Sequence, residues 1–230
     1  MTPPQVWVVR PEPGASRTVA AARELGLAAR AAPLFVVEPV AWAPPAPAAF
    51  DAILFASANA LRHAGPALAD LAALPAYAVG EATAAAARSA GFVVAATGSG
   101  GAQELVPCLA RDGRRRVLRL AGAAHVALSP PATMTITTIV VYAARPLPLA
   151  GEAIDALRRG GVTLLHSAEA ARRLAAECTR AGLERGRVAL ACLAPRIAQA
   201  AGPGWRFVAV AERTDEAALL ALAVRMCQTP

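Results

Sequence analysis

The chain has 230 residues, of which 56% are hydrophobic and 4% aromatic, and its formal net charge is +7. It contains arginine but no lysine, which excludes Schiff-base chemistry, pyridoxal attachment and a Walker-type phosphate loop. An uncharged segment, residues 120–144, is broken by two prolines and a histidine, so it does not predict a membrane span. The N-terminus resembles no signal peptide, and we expect a cytoplasmic protein whose positive charge favours an acidic partner.

Predicted strands and helices alternate along the chain. The segment "VWVVR" (6–10) predicts a strand, and the next segment predicts a helix that Ser16 caps and Gly26 ends. A proline-rich stretch, "WAPPAPAAF" (42–50), marks a boundary. Further strands are predicted at "DAILFAS", "AYAVG", "FVVAATG", "RRVLRLAG" and "TITTIVVY", with helices over 58–74, 81–91 and 102–113. This alternation predicts parallel sheets with helices on both faces.

The same order of elements occurs twice. "FDAILFASANALRHAGPAL" aligns with "GVTLLHSAEAARRLAAEC", which places Ser57 over Ser167. The next segments align so that Gly80 lies over Ala194, and the two copies are separated by about 110 residues. The repeat predicts two similar doubly wound parallel-sheet α/β domains.

The second copy has no opening strand–helix pair, whereas the start of the chain supplies one with nothing attached to it. An interleaved topology resolves this, with residues 1–35 and 144–230 forming one discontinuous domain and 41–135 forming the other. The connecting segments, 36–40 and 136–143, are extended and rich in β-branched residues. We expect them to pair as a two-stranded hinge.

Small residues occur at the turns where the predicted helices begin. In a doubly wound sheet, ligands bind at the carboxyl ends of the strands, toward which the helix N-termini point. The residues at these turns are Ser57, Asn59, Gly80, Thr83, Ser167 and Thr214. Each turn offers free backbone N–H groups and the positive end of a helix dipole, although residues of these types also serve as ordinary N-caps. Because the turns recur in both halves, we predict that they bind one anionic ligand across a cleft.

Other motifs favour no cofactor. The four cysteines have no metal-binding spacing and the three histidines have no local ligand partners, so no metal site is predicted. "GSGGAQ" (98–103) lacks the last glycine of a dinucleotide fingerprint. The arginine triplet 114–116 has no aromatic stacking partners, which argues against nucleic-acid binding. His166 beside Ser167 lacks the context of an acyl-transfer site.

The sequence resembles the uroporphyrinogen-III synthase family over nearly its whole length. The resemblance depends on "VVRPEPGA", "FDAILFASANAL", "AYAVGEATAAAARSAGF", "VVYAARP" and "VAVAERTDEAALLAL". It implies two α/β domains joined by a two-stranded hinge. The sequence departs from the family pattern at Ala194, where the turn lacks a hydroxyl, and after Gly122, where a further helix is common.

The resemblance implies an enzyme of heme biosynthesis, a monomeric lyase without cofactor or metal. Its substrate would be hydroxymethylbilane, a polycarboxylate tetrapyrrole, with transient hand-over from hydroxymethylbilane synthase and no nucleic acid or membrane partner. Tyr142 is the candidate for assisting departure of the substrate hydroxyl, with cross-strand packing as the alternative role. Arg10 would face the substrate, with a salt bridge as the alternative. The other function that we considered is a non-catalytic bilobal binder of an anionic small molecule.

Overall fold

The computed structural model describes residues 5–228, which form two compact units. The first unit takes the chain up to Val36 and from Arg145 onward, and the second is Val37–Ala144. Both units contain parallel β-sheet and helices, which confirms the predicted α/β class. Within the described residues, no helix is long and apolar enough to cross a membrane.

The strands and helices are named in chain order. The strands are β1 (Val6–Val8), β2 (Ala29–Ala31), β3 (Phe35–Pro39), β4 (Ala52–Phe55), β5 (Ala76–Val79), β6 (Val94–Gly98), β7 (Arg116–Gly122), β8 (Thr135–Pro146), β9 (Gly161–Leu165), β10 (Val188–Cys192) and β11 (Phe207–Val210). The helices are α1 (Gly14–Glu24), α2 (Ala58–His63), α3 (Glu81–Ser89), α4 (Leu105–Arg111), α5 (Gly151–Arg158), α6 (Ala168–Arg180), α7 (Pro195–Ala201) and α8 (Glu216–Gln228).

The first unit is a five-stranded sheet in the order β11-β10-β9-β1-β2, and all neighbouring strands are parallel. The opening strand β1 thus lies beside β9, the first strand of the second sequence copy. Successive residues of β1 face opposite layers: Val6 and Val8 pack with α1 and α8, whereas Trp7 packs with α5 and α6. These layers are built mainly from alanine, valine and leucine.

The second unit is a six-stranded sheet in the order β3-β8-β7-β4-β5-β6. Its strands from β8 to β6 pair in parallel. The connecting strands β3 and β8 pair with each other through Val40 N to Val141 O and Leu147 N to Leu34 O. Residue numbers rise on one strand as they fall on the other, so this pair is antiparallel. Because β8 also pairs with β7 as far as Tyr142, the two predicted hinge segments form the border of the sheet.

Two local predictions about helices were wrong. Ser16 does not cap α1, which begins at Gly14; its hydroxyl instead donates a hydrogen bond to the Glu12 carboxylate, at 2.9 Å. The predicted helix over 58–74 is interrupted after α2, because Gly65 adopts a left-handed φ of 73° and Pro66 starts a separate 3-10 segment. Helix α5 was not among the elements that the sequence predicted.

Candidate functional site

The carboxyl edge of the second unit's sheet carries five of the predicted site residues. Ser57 is the N-cap of α2, and its Oγ accepts a hydrogen bond from Asn59 N at 3.2 Å. The Asn59 side chain accepts a hydrogen bond from Arg62, at 2.9 Å. Both polar side chains therefore have local partners, and Ser57 has the N-cap role that the sequence left open.

Gly80 is the N-cap of α3 and has a conformation that glycine favours, with φ of 77°. Its carbonyl accepts hydrogen bonds from Thr83 N and Ala84 N, and an added Cβ would meet no atom within 4 Å. The space beside the backbone is therefore open at this helix start. Thr83 is 5% exposed, and its backbone N–H is already bonded to the Gly80 carbonyl.

Tyr142 lies at the carboxyl end of β7, where the register shifts so that it pairs with Gly122. Its Cε2, Cζ and hydroxyl oxygen would be 2.5–2.9 Å from a Cβ at position 122, so the ring lies directly over this glycine. The His63 ring lies beside it, with centroids 6.2 Å apart, and the Tyr142 ring also packs on the core beneath. Among the described residues, none forms a hydrogen bond with the Tyr142 hydroxyl. Packing holds the ring, and the hydroxyl is left for a ligand.

Along the second unit's sheet edge, these groups follow the strand order. Tyr142 of β8 pairs with the last residue of β7, Ser57 follows β4, and Gly80 follows β5. The strands β8, β7, β4 and β5 are successive neighbours in the sheet. The Tyr142 hydroxyl, which has no partner among the described residues, therefore lies on the same edge as the N-termini of α2 and α3. This edge can bind an anion through backbone N–H groups and donate a proton or hydrogen bond from a phenol.

In the first unit, Arg10 follows β1 and takes part in a polar cluster. Its Nη1 lies 3.2 Å from Glu216 Oε2 and 3.4 Å from Thr18 Oγ1. Thr18 donates a hydrogen bond to the Glu216 carboxylate, and His166 Nε2 lies 3.2 Å from the same group. The salt bridge that the sequence offered as the alternative for Arg10 is therefore formed.

The cluster depends on Glu216, which sequence reasoning missed. Burial alone would raise the pKa of Glu216, but hydrogen bonds with His166 and Thr18 outweigh burial and lower the pKa to about 2. The His166 side chain is 8% exposed, and its Nδ1 is buried without a partner among the described residues. One sequence signal could have identified Glu216. It is an acidic residue in the first turn of the last helix, at the same sheet edge as Arg10.

The remaining predicted residues of the first unit lie along its carboxyl edge. Ser167 is the N-cap of α6, and its Oγ accepts a hydrogen bond from Ala170 N at 3.1 Å. Thr214 is exposed and precedes Asp215, whose carboxylate accepts a hydrogen bond from Ala218 N at 2.8 Å. Ser57 and Ser167, aligned by the sequence repeat, are thus equivalent helix caps in the two units.

The described residues bring together no group of three or more histidine, cysteine, aspartate or glutamate side chains that could hold a metal ion. The cysteines are all free thiols, and burial raises the pKa of Cys178 and of Cys192 to about 11. These two thiols therefore stay protonated near neutral pH and are poor nucleophiles.

The fold and its sheet edges define a class: a two-unit α/β protein whose parallel sheets present helix N-termini and a phenol at their carboxyl edges. A family model described as uroporphyrinogen-III synthase HemD matches residues 16–221. The chain therefore belongs to the uroporphyrinogen-III synthase family, a family of enzymes, as the sequence resemblance had indicated.

Solved structures of the same description share the fold. Uroporphyrinogen-III synthetase from Helicobacter pylori 26695 aligns with a TM-score of 0.66 at 19% identity, covering 98% of this chain and 100% of that one. A mutant uroporphyrinogen III synthase from the extremely thermophilic bacterium Thermus thermophilus aligns with a TM-score of 0.52 at 19% identity, covering 97% and 98%. No curated protein sequence matches the chain at a significant level.

Proposed function

We propose that this protein is a uroporphyrinogen-III synthase, a cyclising lyase that converts hydroxymethylbilane into uroporphyrinogen III and water. The observation that supports this most is the family match over residues 16–221. It agrees with the chemistry of the second unit's sheet edge, where the hydroxyl of Tyr142 lies on the same edge as the N-termini of α2 and α3. A polycarboxylate substrate suits backbone N–H donors and an arginine-rich chain.

The first step of the proposed reaction removes the substrate hydroxyl. Tyr142 donates a hydrogen bond or proton to this hydroxyl, the C–O bond breaks, and water leaves. The remaining ring A carries the positive charge as an azafulvene cation. The phenolic O–H of Tyr142 acts chiefly as a hydrogen-bond donor to the leaving oxygen.

The second step closes the ring with inversion of ring D. Ring D attacks the cation through its substituted carbon and forms a spiro intermediate; fragmentation and reclosure then leave ring D inverted, and one proton is released. The bilane also closes spontaneously to the uninverted isomer. Each tenfold preference over that route needs about 1.4 kcal/mol of differential transition-state stabilisation. Contacts of the carboxylates with the helix starts at Ser57 and Gly80 would supply it by fixing the conformation of the bilane.

The test is the identity of the porphyrin isomer. The purified protein is coupled to a deaminase that makes hydroxymethylbilane, the product is oxidised, and the isomers are separated by chromatography. The same mixture without the protein gives the spontaneous ratio. We expect predominantly isomer III. Only isomer I from a folded sample would contradict the proposal and favour a non-catalytic binder of an anionic small molecule.

We also propose that the protein acts in the cytoplasm as a monomer and receives the bilane directly from hydroxymethylbilane synthase. The short lifetime expected of a substrate that closes spontaneously favours such a hand-over. Light scattering of the purified protein measures its oligomeric state. Isomer III yield at increasing dilution of the two enzymes tests hand-over, because a yield limited by free diffusion falls with dilution.

A further inference from the structure

A buried arginine lies in the second unit's sheet, outside the residues already assigned. Arg119 is the fourth residue of β7, and only 4% of it is exposed. Its neighbours Leu118 and Leu120 are fully buried. Arginine is almost never buried to this degree unless its charge is paired, because an isolated buried charge is costly.

The guanidinium group of Arg119 has few partners. Its Nη1 donates a hydrogen bond to Val126 O at 2.7 Å, whereas Nε is buried and has no acceptor among the described residues. No described carboxylate forms an ion pair with it. Burial lowers the pKa of Arg119, opposed only by the Tyr142 phenol. The positive charge is therefore uncompensated within residues 5–228.

Arg119 is not needed to hold the loop between β7 and β8 in place, so this role does not explain why it is buried. The loop passes over Arg119 at Val126, but other contacts fix it in place. Gln103 and Ser129 form two reciprocal hydrogen bonds, of 3.1 Å and 2.9 Å, and Leu128 packs on the core. A neutral side chain at position 119 would leave these contacts intact. The charge itself thus needs another explanation.

The position of Arg119 suggests one. β7 ends three residues later at Gly122, the glycine beneath Tyr142, so the guanidinium lies toward the carboxyl edge of the sheet. The loop residues that cover this end of β7, 123–127, are exposed, and Val126 is 79% exposed. A guanidinium group pairs best with a planar carboxylate, which accepts two parallel hydrogen bonds.

We propose that Arg119 is the binding residue for a carboxylate group of an anionic ligand at the carboxyl edge of the second unit. The carboxylate accepts hydrogen bonds from the guanidinium and compensates the buried charge. If the proposed function holds, this carboxylate is one of the acidic side arms of hydroxymethylbilane, held at the same sheet edge as Tyr142.

The first test is thermal unfolding of the full chain in sodium citrate and in sodium chloride of equal ionic strength. Citrate is the carboxylate probe, and a ligand that binds only the folded state raises the Tm. We expect a higher Tm in citrate for the wild type and for Arg115→Met, which removes an exposed positive charge beside the other end of β7. For Arg119→Met the difference between the two salts should vanish, and Arg119→Lys should restore part of it.

The Tm measured without citrate distinguishes a binding role of Arg119 from a structural one. Met at position 119 removes an uncompensated buried charge, so the Tm of Arg119→Met in chloride should equal or exceed that of the wild type. A Tm well below the wild type, or failure to fold, would give Arg119 a structural role and overturn the proposal. An unchanged citrate effect in Arg119→Met would overturn it as well.

The second test assigns the carboxylate to the substrate. In the coupled assay, Arg119→Met should raise the KM for hydroxymethylbilane at least about tenfold, the factor expected from losing about 1.4 kcal/mol of binding free energy. Arg115→Met should change KM less than about twofold, as expected when no contact is lost. An Arg119-dependent citrate effect with an unchanged KM would overturn the assignment to substrate and indicate a free carboxylate ligand. If the wild type makes only isomer I, the proposed function fails, and the citrate experiment still decides whether Arg119 binds a carboxylate.

Discussion

Gly122 lies directly beneath the ring of Tyr142, so closely that a methyl group at position 122 would come within 2.5 Å of Cε2 and 2.9 Å of the hydroxyl oxygen. Gly122 has an ordinary backbone conformation, so the requirement for glycine at this position is steric. The absence of a side chain lets the phenol lie over the end of β7. The position of the proposed catalytic hydroxyl thus depends on a residue that takes no part in the chemistry.

Gly122→Ala should displace the Tyr142 ring and lower turnover. We expect a fall in kcat of about tenfold or more, because a small misplacement of a catalytic group is costly. The free energy of unfolding should fall by about 1–3 kcal/mol, the usual cost of overpacking. Gly151→Ala is the matched control, since an added Cβ there meets no atom within 4 Å. If kcat is unchanged in Gly122→Ala, the position of the ring does not matter for the reaction.

Tyr142→Phe should show how much the hydroxyl contributes to turnover, because the variant keeps the ring. The ring still packs against His63 and the core, and the hydroxyl has no partner among the described residues, so the Tm should stay close to that of the wild type. Loss of a positioned proton donor costs about 10²-fold or more in rate, and we expect kcat for isomer III to fall accordingly. Adding Gly122→Ala to Tyr142→Phe should lower kcat little further. A wild-type rate in Tyr142→Phe would remove Tyr142 from the mechanism.

Most of the fold could be predicted because it depends on local pattern. The alternation of strands and helices and the internal repeat both lie in the order of residues along the chain. They placed Ser57 and Ser167 correctly at equivalent helix starts. Helix ends were less predictable: the pattern of apolar residues continues past Gly65, but the backbone there turns left-handed.

The contacts of the candidate site could not be predicted in the same way. Arg10 and Glu216 are separated by 206 residues, and their pairing depends on α8 returning beside β1. The contact of Tyr142 with Gly122 depends on a register shift between β7 and β8, which the β-branched run of β8 does not encode. The sequence identified which residue types lie at the sheet edges, while tertiary packing decides which of them meet.

Glu216→Gln should destabilise the protein in a pH-dependent way. The folded-state pKa of Glu216 is about 2, below its ordinary value of 4.5, so the carboxylate stabilises the folded state fully above pH 4.5. As the pH falls from 4.5 toward 2, the unfolded chain takes up a proton first and this stabilisation is lost. Because 38% of the side chain is exposed, we expect a cost of about 1–2 kcal/mol at pH 7, below the full linkage value.

Urea unfolding at pH 7 and pH 3 measures this effect. The difference in free energy of unfolding between the wild type and Glu216→Gln should shrink at pH 3. Glu212→Gln is the control, since Glu212 lies nearby with 81% of its side chain exposed, and it should change stability little at either pH. A constant difference between Glu216→Gln and the wild type at both pH values would show that Glu216 stabilises the fold through shape alone.

Glu177→Leu should be the most destabilising of these changes. The Glu177 side chain is 2% exposed, and its carboxylate accepts hydrogen bonds from Arg180 and from the buried backbone N–H of Leu149, while Arg173 lies 2.9 Å away. Hydrogen bonding from Arg180 lowers the pKa of Glu177 despite its burial. Leucine leaves the Leu149 N–H without an acceptor, and removing one member of such a buried network costs about 2–4 kcal/mol.

Urea unfolding at pH 7 measures the stability lost in Glu177→Leu, and two further variants serve as comparisons. Glu177→Gln keeps an oxygen that can accept from Leu149 N, so it should lose only part of the stability, and the difference between the two variants reports the backbone hydrogen bond. Glu184→Gln removes the charge of an exposed carboxylate paired with Arg187, and it should cost less than about 1 kcal/mol. Equal losses in Glu177→Leu and Glu177→Gln would mean that the ion pairs, and not the contact with Leu149, stabilise the link between β8 and α5.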